Sequence, residues 1–289
     1  MPIPPLSFID RFATLAAGYD AVLSDVWGVI HNGVAATPEA CDALVRFRAK
    51  GGTVALITNA PRPGEVVTRF LDKLSVPRQA YDTIVSSGDV TRAVMAKRSG
   101  KKVFHIGPER DLPIFEGLGL DFVPLDAADY AVCTGLTDDE TETPESYRGL
   151  FGELRERGLF MVCGNPDLVV ERGDKLVYCA GALADLYAEL GGDVLYAGKP
   201  HRPIYDEALA RIAALRGGEP ARSRLLAIGD SIRTDLKGAA GAGLDCLFVT
   251  AGIHAEELGA REAPDLAALH EMFAAAGVAP KAVTRRLMW

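Results

Sequence analysis

The chain has 289 residues, a formal net charge of −8 and five cysteines, which leaves room for one large domain or two of ordinary size. The acidic balance and the lack of a long basic run speak against nucleic acid or an anionic membrane as partner. No run approaches the ~18 apolar residues that span a bilayer, and MPIPPLSFIDRFATL has no leader pattern, so the expectation is a cytoplasmic protein with a small partner.

In chain order, the apolar run AVLSD predicts a strand ending at Asp25. A helix over 38–50 follows, with Thr37 as N-cap, Pro38 in its first turn and Gly51-Gly52 ending it. GTVALIT predicts a second strand, and a helix over 63–74 comes after it. The stretch 88–193 has its own complement: strands in KVFHIG, DFVPL, YAVCTG and LFMVCGN, a hairpin LVVERGDKLVY turning at Gly173-Asp174, and helices over 144–157 and 180–190. The first pattern then returns as DVLYAGKP, a helix over 201–216, RLLAIGD, a helix over 233–242, LDCLFVT and a last helix near 265–276. Apolar strands that alternate with helices predict an α/β fold, a doubly wound parallel sheet covered on both faces. Residues 1–87 and 194–289 would form that core, and 88–193 an inserted α/β domain.

Four short segments fall where a predicted parallel strand ends, the edge at which open α/β sheets bind ligands. They are Asp25 in LSDVWGV, Thr58-Asn59 in ALITNA, Lys199 in YAGKP, and Asp230 with Asp235 in AIGDSIRTD. Singly, each has an ordinary explanation: a turn cap, a strand-end hydroxyl, a solvated charge, a helix N-cap. Together, carboxylates, a lysine and a hydroxyl are the set that magnesium-assisted phosphoryl transfer needs, because phosphate charge must be neutralised from several sides.

This order of motifs resembles the haloacid dehalogenase superfamily, in its class IIA branch of capped phosphatases. DVWGVIHNG is similar to the first motif, Thr58-Asn59 to the second, Gly198-Lys199-Pro200 to the third and GDSIRTD at 229–235 to the fourth. GNPD at 164–167 and CAGAL at 179–183 are similar to the branch's substrate-facing loop and the helix after it, although GNPD also reads as an ordinary turn. The resemblance implies a Rossmann-like core with a cap of the C2 type, acting on small phosphorylated metabolites. It implies that Asp25 attacks phosphorus to give an aspartyl-phosphate, that Thr58 hydrogen-bonds the phosphoryl oxygens, and that Lys199 holds nucleophile and phosphoryl group by charge. It places Mg2+ on Asp25, Asp230 and the backbone carbonyl of Trp27, with Asp235 completing or orienting the shell. Gly28, Asn59, Asn165 and Asp167 fall to phosphate or substrate binding, and a homodimer through the cap is implied as well.

Trp27 departs from that pattern. Most phosphatases of the superfamily carry there a second aspartate, which protonates the leaving oxygen, and an indole has no proton to surrender near neutral pH. Its backbone carbonyl survives the change, so what is lost is the acid and base. Losing such a group costs on the order of 10² to 10⁴ in rate, most for alkoxide leaving groups and least for aryl or acyl phosphates. His31 and His201 are the replacements nearest in sequence, each more ordinary as a structural histidine.

Two rivals remain: a metal-free dehalogenase, where an aromatic follows the nucleophile, and a non-catalytic module that binds a phosphometabolite. The pair Asp230 and Asp235 weighs against the first, and an anionic nucleophile beside a phosphate against the second. The glycines at 238–243 follow a helix start, the reverse of a dinucleotide fingerprint, and suit close packing and a helix C-cap. Cys41, Cys133, Cys163, Cys179 and Cys246 are odd in number and lack a C-x-x-C pair, so they read as buried apolar thiols in a reducing compartment. Arg62 reads as solvated, and the basic end KAVTRRLMW is open between docking on the core, docking on a second subunit and a mobile tail.

Overall fold

The computed structural model describes residues 6–98, 100–172, 175–259 and 263–289. In chain order its strands are β1 (Ala21–Asp25), β2 (Thr53–Thr58), β3 (Thr83–Ser86), β4 (Lys102–Ile106), β5 (Asp121–Phe122), β6 (Tyr130–Cys133), β7 (Phe160–Cys163), β8 (Val169–Arg172), β9 (Lys175–Tyr178), β10 (Val194–Tyr196), β11 (Leu225–Gly229), β12 (Asp245–Val249) and β13 (Ala282–Thr284). The chain divides into two compact units, Met1–Thr58 with Thr68–Val85 and Tyr205–Trp289, and Asn59–Val67 with Ser86–Ile204.

The first unit is built on a six-stranded sheet of order β13-β12-β11-β1-β2-β3. Every residue of β1 is buried, which a strand achieves only with neighbours on both sides and cover on both faces. Its neighbours β2 and β11 both run parallel to it, and β12 and β13 continue in the same direction. The helix Pro38–Ala49 returns the chain from β1 to β2 and buries Ala40, Cys41, Ala43, Leu44 and Phe47. Thr37 occupies its N-cap position, but the hydroxyl makes no capping bond.

The second unit carries an all-parallel sheet of order β10-β7-β6-β4-β5 and the separate hairpin β8–β9. The hairpin's turn at Gly173-Asp174 lies outside the described residues. Strand pleating divides this unit's core in two. Ala131, Cys133, Met161 and Cys163 pack with Phe151 and Tyr187, whereas Tyr130, Val132 and Val162 pack with Met95 and Ile114. All five cysteines are free and buried, and burial pushes the Cys163 thiol well above its ordinary pKa.

Several elements differ from the sequence pattern. β3 leads into a helix, Ser87–Ala96, opened by a capping box in which Ser86 and Asp89 satisfy each other's backbone amides. The expected helix over 233–242 is a π turn, Ile232–Leu236, followed by a short helix, Lys237–Ala242, that ends on left-handed Gly243. β13 completes the first unit's sheet inside the segment left open by the sequence. That segment docks on its own unit: Phe12 N donates to Met288 O at 2.6 Å, Phe12 meets the Trp289 ring edge-on at 5.9 Å, and Lys50 Nζ lies 5.7 Å from the same ring. Among the described residues no helix is long and apolar enough to cross a membrane.

Two histidines are withdrawn from water, His31 buried and His105 half-buried. His31 in the first unit meets Phe70 edge-on at 5.4 Å, and His105 in the second lies 4.8 Å from Phe115 and hydrogen-bonds Thr134 Oγ1 at 2.9 Å. Burial pulls the pKa of each down to about 4.

Removal of the terminal ring by Trp289→Ala should cost about 2 kcal/mol and lower Tm by roughly 4–8 °C in a thermal scan; a change under about 1 °C would show that the docked end adds nothing. The histidines set a pH dependence. In the unfolded chain both bind protons below about pH 6.5, while the folded rings resist until near 4, so stability is full above that window and falls as pH drops through it, by up to about 3 kcal/mol per ring. A His31→Gln variant should show a flatter Tm profile from about pH 6.5 to 4, and an unchanged slope would contradict this assignment.

Candidate active site

Register brings the first-unit residues together. Asp25 ends β1 opposite Ile57, so Thr58 is the next residue along the neighbouring strand. On the other side Ser24 pairs with Ile228, which leaves Gly229 and Asp230 at the same edge of the sheet. The π turn then returns Asp235 to it, and ligand oxygens of Asp25, Asp230 and Asp235 all lie within 4.8 Å of one another. All three carboxylates and Thr58 are buried.

Each carboxylate is aimed by a backbone amide. Val26 N donates to Asp25 Oδ1 at 2.7 Å, Ile253 N to Asp230 Oδ2 at 2.8 Å, and Ser231 N to Asp235 Oδ2 at 3.1 Å. Glycines make the close approach possible: a Cβ on Gly28 or Gly252 would overlap the Asp230 carboxylate, and one on Gly229 would overlap Asp235. Gly28 has a φ of 82°, a conformation that L side chains rarely adopt. Gly252 and Ile253, in the loop after β12, were missed in the sequence. The available signal was a glycine two residues past a predicted parallel strand, at the edge shared by the other motifs.

Three ionised carboxylates at this separation repel by at least about 3 kcal/mol per pair at an effective dielectric near 20. An oxygen-only set of this kind fits a hard divalent cation, and Asp25, Asp230 and Asp235 are the residues that could hold one.

The remaining sequence-derived residues lie in the second unit. Asn59 is fully engaged there: its Oδ1 accepts from Lys199 N at 2.7 Å, and its Nδ2 donates to Lys199 O at 3.0 Å and Asp167 Oδ1 at 2.9 Å. Asn165 Oδ1 accepts from Asp167 N at 3.1 Å, the mark of an Asx turn. Lys199 is buried. Ser87, also missed, donates its hydroxyl to carbonyls of Asn59 and Gly164 at 2.8 and 2.6 Å and so ties the segment after β2 to the segment after β7. Arg62 lies 3.7 Å from the Asp111 carboxylate.

Trp27 is 40% exposed. His31, which packs on the indole, offers no ready substitute for an acid at position 27. His31 Nδ1 accepts from Gly33 N at 2.9 Å, and with a pKa near 4 the ring is neutral and a poor proton carrier at pH 7. His201 stacks on Tyr196 at 4.3 Å with the planes 7° apart.

Comparison with known proteins agrees with this geometry. A family model described as haloacid dehalogenase-like hydrolase matches residues 22–121, and one described as HAD-hydrolase-like matches 196–274. The curated 5'-nucleotidase YutF of Bacillus subtilis is 24% identical over 241 residues, 83% of this chain and 90% of that protein. The crystal structure of glycerol phosphate phosphatase Rv1692 from Mycobacterium tuberculosis, in complex with calcium, is 27% identical with a TM-score of 0.63, covering 83% of this chain and 68% of that one. A crystal structure from Brucella suis 1330, described as a hydrolase of the haloacid dehalogenase-like family, superposes with a TM-score of 0.86 at 47% identity, covering 97% of this chain and 100% of that one. With nearly half of its residues shared along the whole of that structure, the chain belongs to the haloacid dehalogenase-like hydrolase family.

Proposed function

We propose that this protein is a Mg2+-dependent phosphatase of small phosphorylated metabolites, with Asp25 as nucleophile. The observation that carries the reading is the convergence of Asp25, Asp230 and Asp235 at one sheet edge, with Thr58 as the neighbouring buried hydroxyl. The relatives with named activities, a 5'-nucleotidase and a glycerol phosphate phosphatase, act in the same chemical class.

In the proposed reaction an Asp25 oxygen bonds to phosphorus as the ester oxygen leaves with its electron pair, giving an aspartyl-phosphate that water then hydrolyses to phosphate and free carboxylate. Thr58 donates its hydroxyl to a phosphoryl oxygen, and the amides around Gly28 add donors to the same charge. Asp25, Asp230 and the Trp27 carbonyl would hold the cation, with Asp235 fixing the set. When bound, that cation neutralises phosphoryl charge as a Lewis acid. Lys199 is assigned to the phosphoryl charge on its chemistry and its motif, and Asn59 fixes its backbone.

The departing oxygen has no side-chain acid at position 27, so its proton comes from solvent, and rate follows the stability of the leaving anion. A phenolate, the conjugate base of a group with pKa near 10, leaves far more readily than an alkoxide, whose conjugate acid resembles water at about 15.7.

Asp25→Asn should lower phosphate release at least about 10³-fold, and a chelator should abolish it with recovery on adding Mg2+; full turnover in that variant would overturn the aspartyl-phosphate route. Trp27→Asp should restore the missing proton donor and raise kcat for glycerol phosphate about tenfold or more at pH 7. An unchanged or lower kcat would show that another group already supplies the proton.

A further inference from the structure

We infer that Trp27 recognises the leaving group in the reaction proposed above and selects phosphate esters of planar aromatic alcohols. The inference rests on that reading and deepens it.

Trp27 lies between two residues that touch the carboxylate group. Asp25 supplies one of the three acids, and the Cα of Gly28 packs against the Asp230 carboxylate. Within this loop Val26, Val29, Ile30 and His31 are buried, and the indole is 40% exposed. Two residues of chain span at most about 7 Å, so an ester whose phosphorus is in contact with Asp25 carries its leaving group within reach of the ring.

The indole is also held in place. Its ring meets His31 edge-on, with centroids 5.1 Å apart and an interplanar angle of 74°, and His31 in turn meets Phe70 at 5.4 Å and 80°. On another side, Gly33 approaches so closely that a Cβ there would come 2.6 Å from the indole Cη2. The loop beyond is fixed by Asn32, whose Oδ1 accepts from Val34 N at 3.0 Å and Ala35 N at 2.9 Å, and Val34 at its tip is 81% exposed. A large aromatic side chain that stays half in water and is braced by a histidine, a glycine and an Asx turn has little conformational freedom left to lose when a second ring packs on it.

Chemistry and recognition then favour the same substrate. The loop that lacks a proton donor offers an aromatic surface, and esters of phenols or heteroaromatic alcohols need the donor least. A stacked ring of this kind adds about tenfold to affinity.

The chain has two tryptophans, so Trp289→Phe, which keeps a ring against Phe12, leaves Trp27 as the only indole. In that background, with Asp25→Asn to prevent turnover, titration with phenyl phosphate in the presence of Mg2+ should change indole fluorescence and bind about tenfold more tightly than glycerol phosphate. In otherwise native enzyme, Trp27→Leu should lower kcat/KM for phenyl phosphate about tenfold more than it lowers the glycerol phosphate value, and mainly through KM. Equal losses for the two esters, or tight phenyl phosphate binding with unchanged indole emission, would overturn the inference. Failure of the native enzyme to release phosphate from any ester would instead count against the phosphatase reading, and the fluorescence titration would still decide whether the indole binds the ring.

Discussion

The mutual repulsion of three buried carboxylates is the constraint around which the first unit is arranged. Asp25, Asp230 and Asp235 are brought within 4.8 Å by strands whose pairing is fixed elsewhere, along hydrophobic residues that are buried throughout. The sheet therefore opposes a repulsion that free side chains would relieve by turning away. Local structure leaves no room for that turn: Gly28 and Gly252 press on Asp230, Gly229 presses on Asp235, and one amide N–H faces each acid. Those amides supply partial positive charge to each acid. A divalent cation is the simplest species that balances the three acids, and the arrangement is correspondingly preorganised for one.

The same preorganisation limits what position 27 can do. Its backbone is committed by the tight turn through Gly28, where Gly28 N donates to His31 O at 2.8 Å, so only the side chain is free to vary. An acid there would add a further carboxyl beside three others. An indole adds no charge and no proton. In the reaction proposed here it would exchange acid catalysis for apolar surface, an exchange that suits a leaving group departing as a stable anion. The electrostatics of the acids and the identity of residue 27 are thus parts of one problem.

Much of this was legible in the sequence because parallel strands announce themselves as short apolar runs with chemistry at their ends. AVLSD, TVALIT and LLAIG each became a buried strand, and each delivers a site residue at or just past its last position. What escaped had weaker local signals. β3 has four residues, and the Ser86 capping box that marks its end lies in a stretch to which the sequence pattern assigns no element. β13 sits beyond the last predicted helix, in a segment whose basic character hid the short run Ala282-Val283-Thr284 that joins the sheet. Ile253 acts through its amide, and no side-chain pattern reports a backbone donor. The π turn around Asp235 has no signature in residue type, and the carboxylate it carries accepts from the amide of Ser231 at the N-cap.

Thr58 and Asn59 show how finely that edge divides its work. They are consecutive, both are buried, and both are short polar residues of the kind that favour strand ends. Thr58 ends β2 beside the acids, with a hydroxyl that can rotate to meet an incoming oxygen. Asn59 begins the second unit and spends its amide on Lys199 and Asp167, three hydrogen bonds that a carboxylate could not reproduce because it has no donor. The pair is therefore not interchangeable in either order. A hydroxyl at 59 could not span both partners, and an amide at 58 would bring a bulkier group with fixed donors into the crowded end of β2. The two-residue motif encodes a chemical group in one unit and a structural tie in the other, which explains why residue types as different as threonine and asparagine belong together in it.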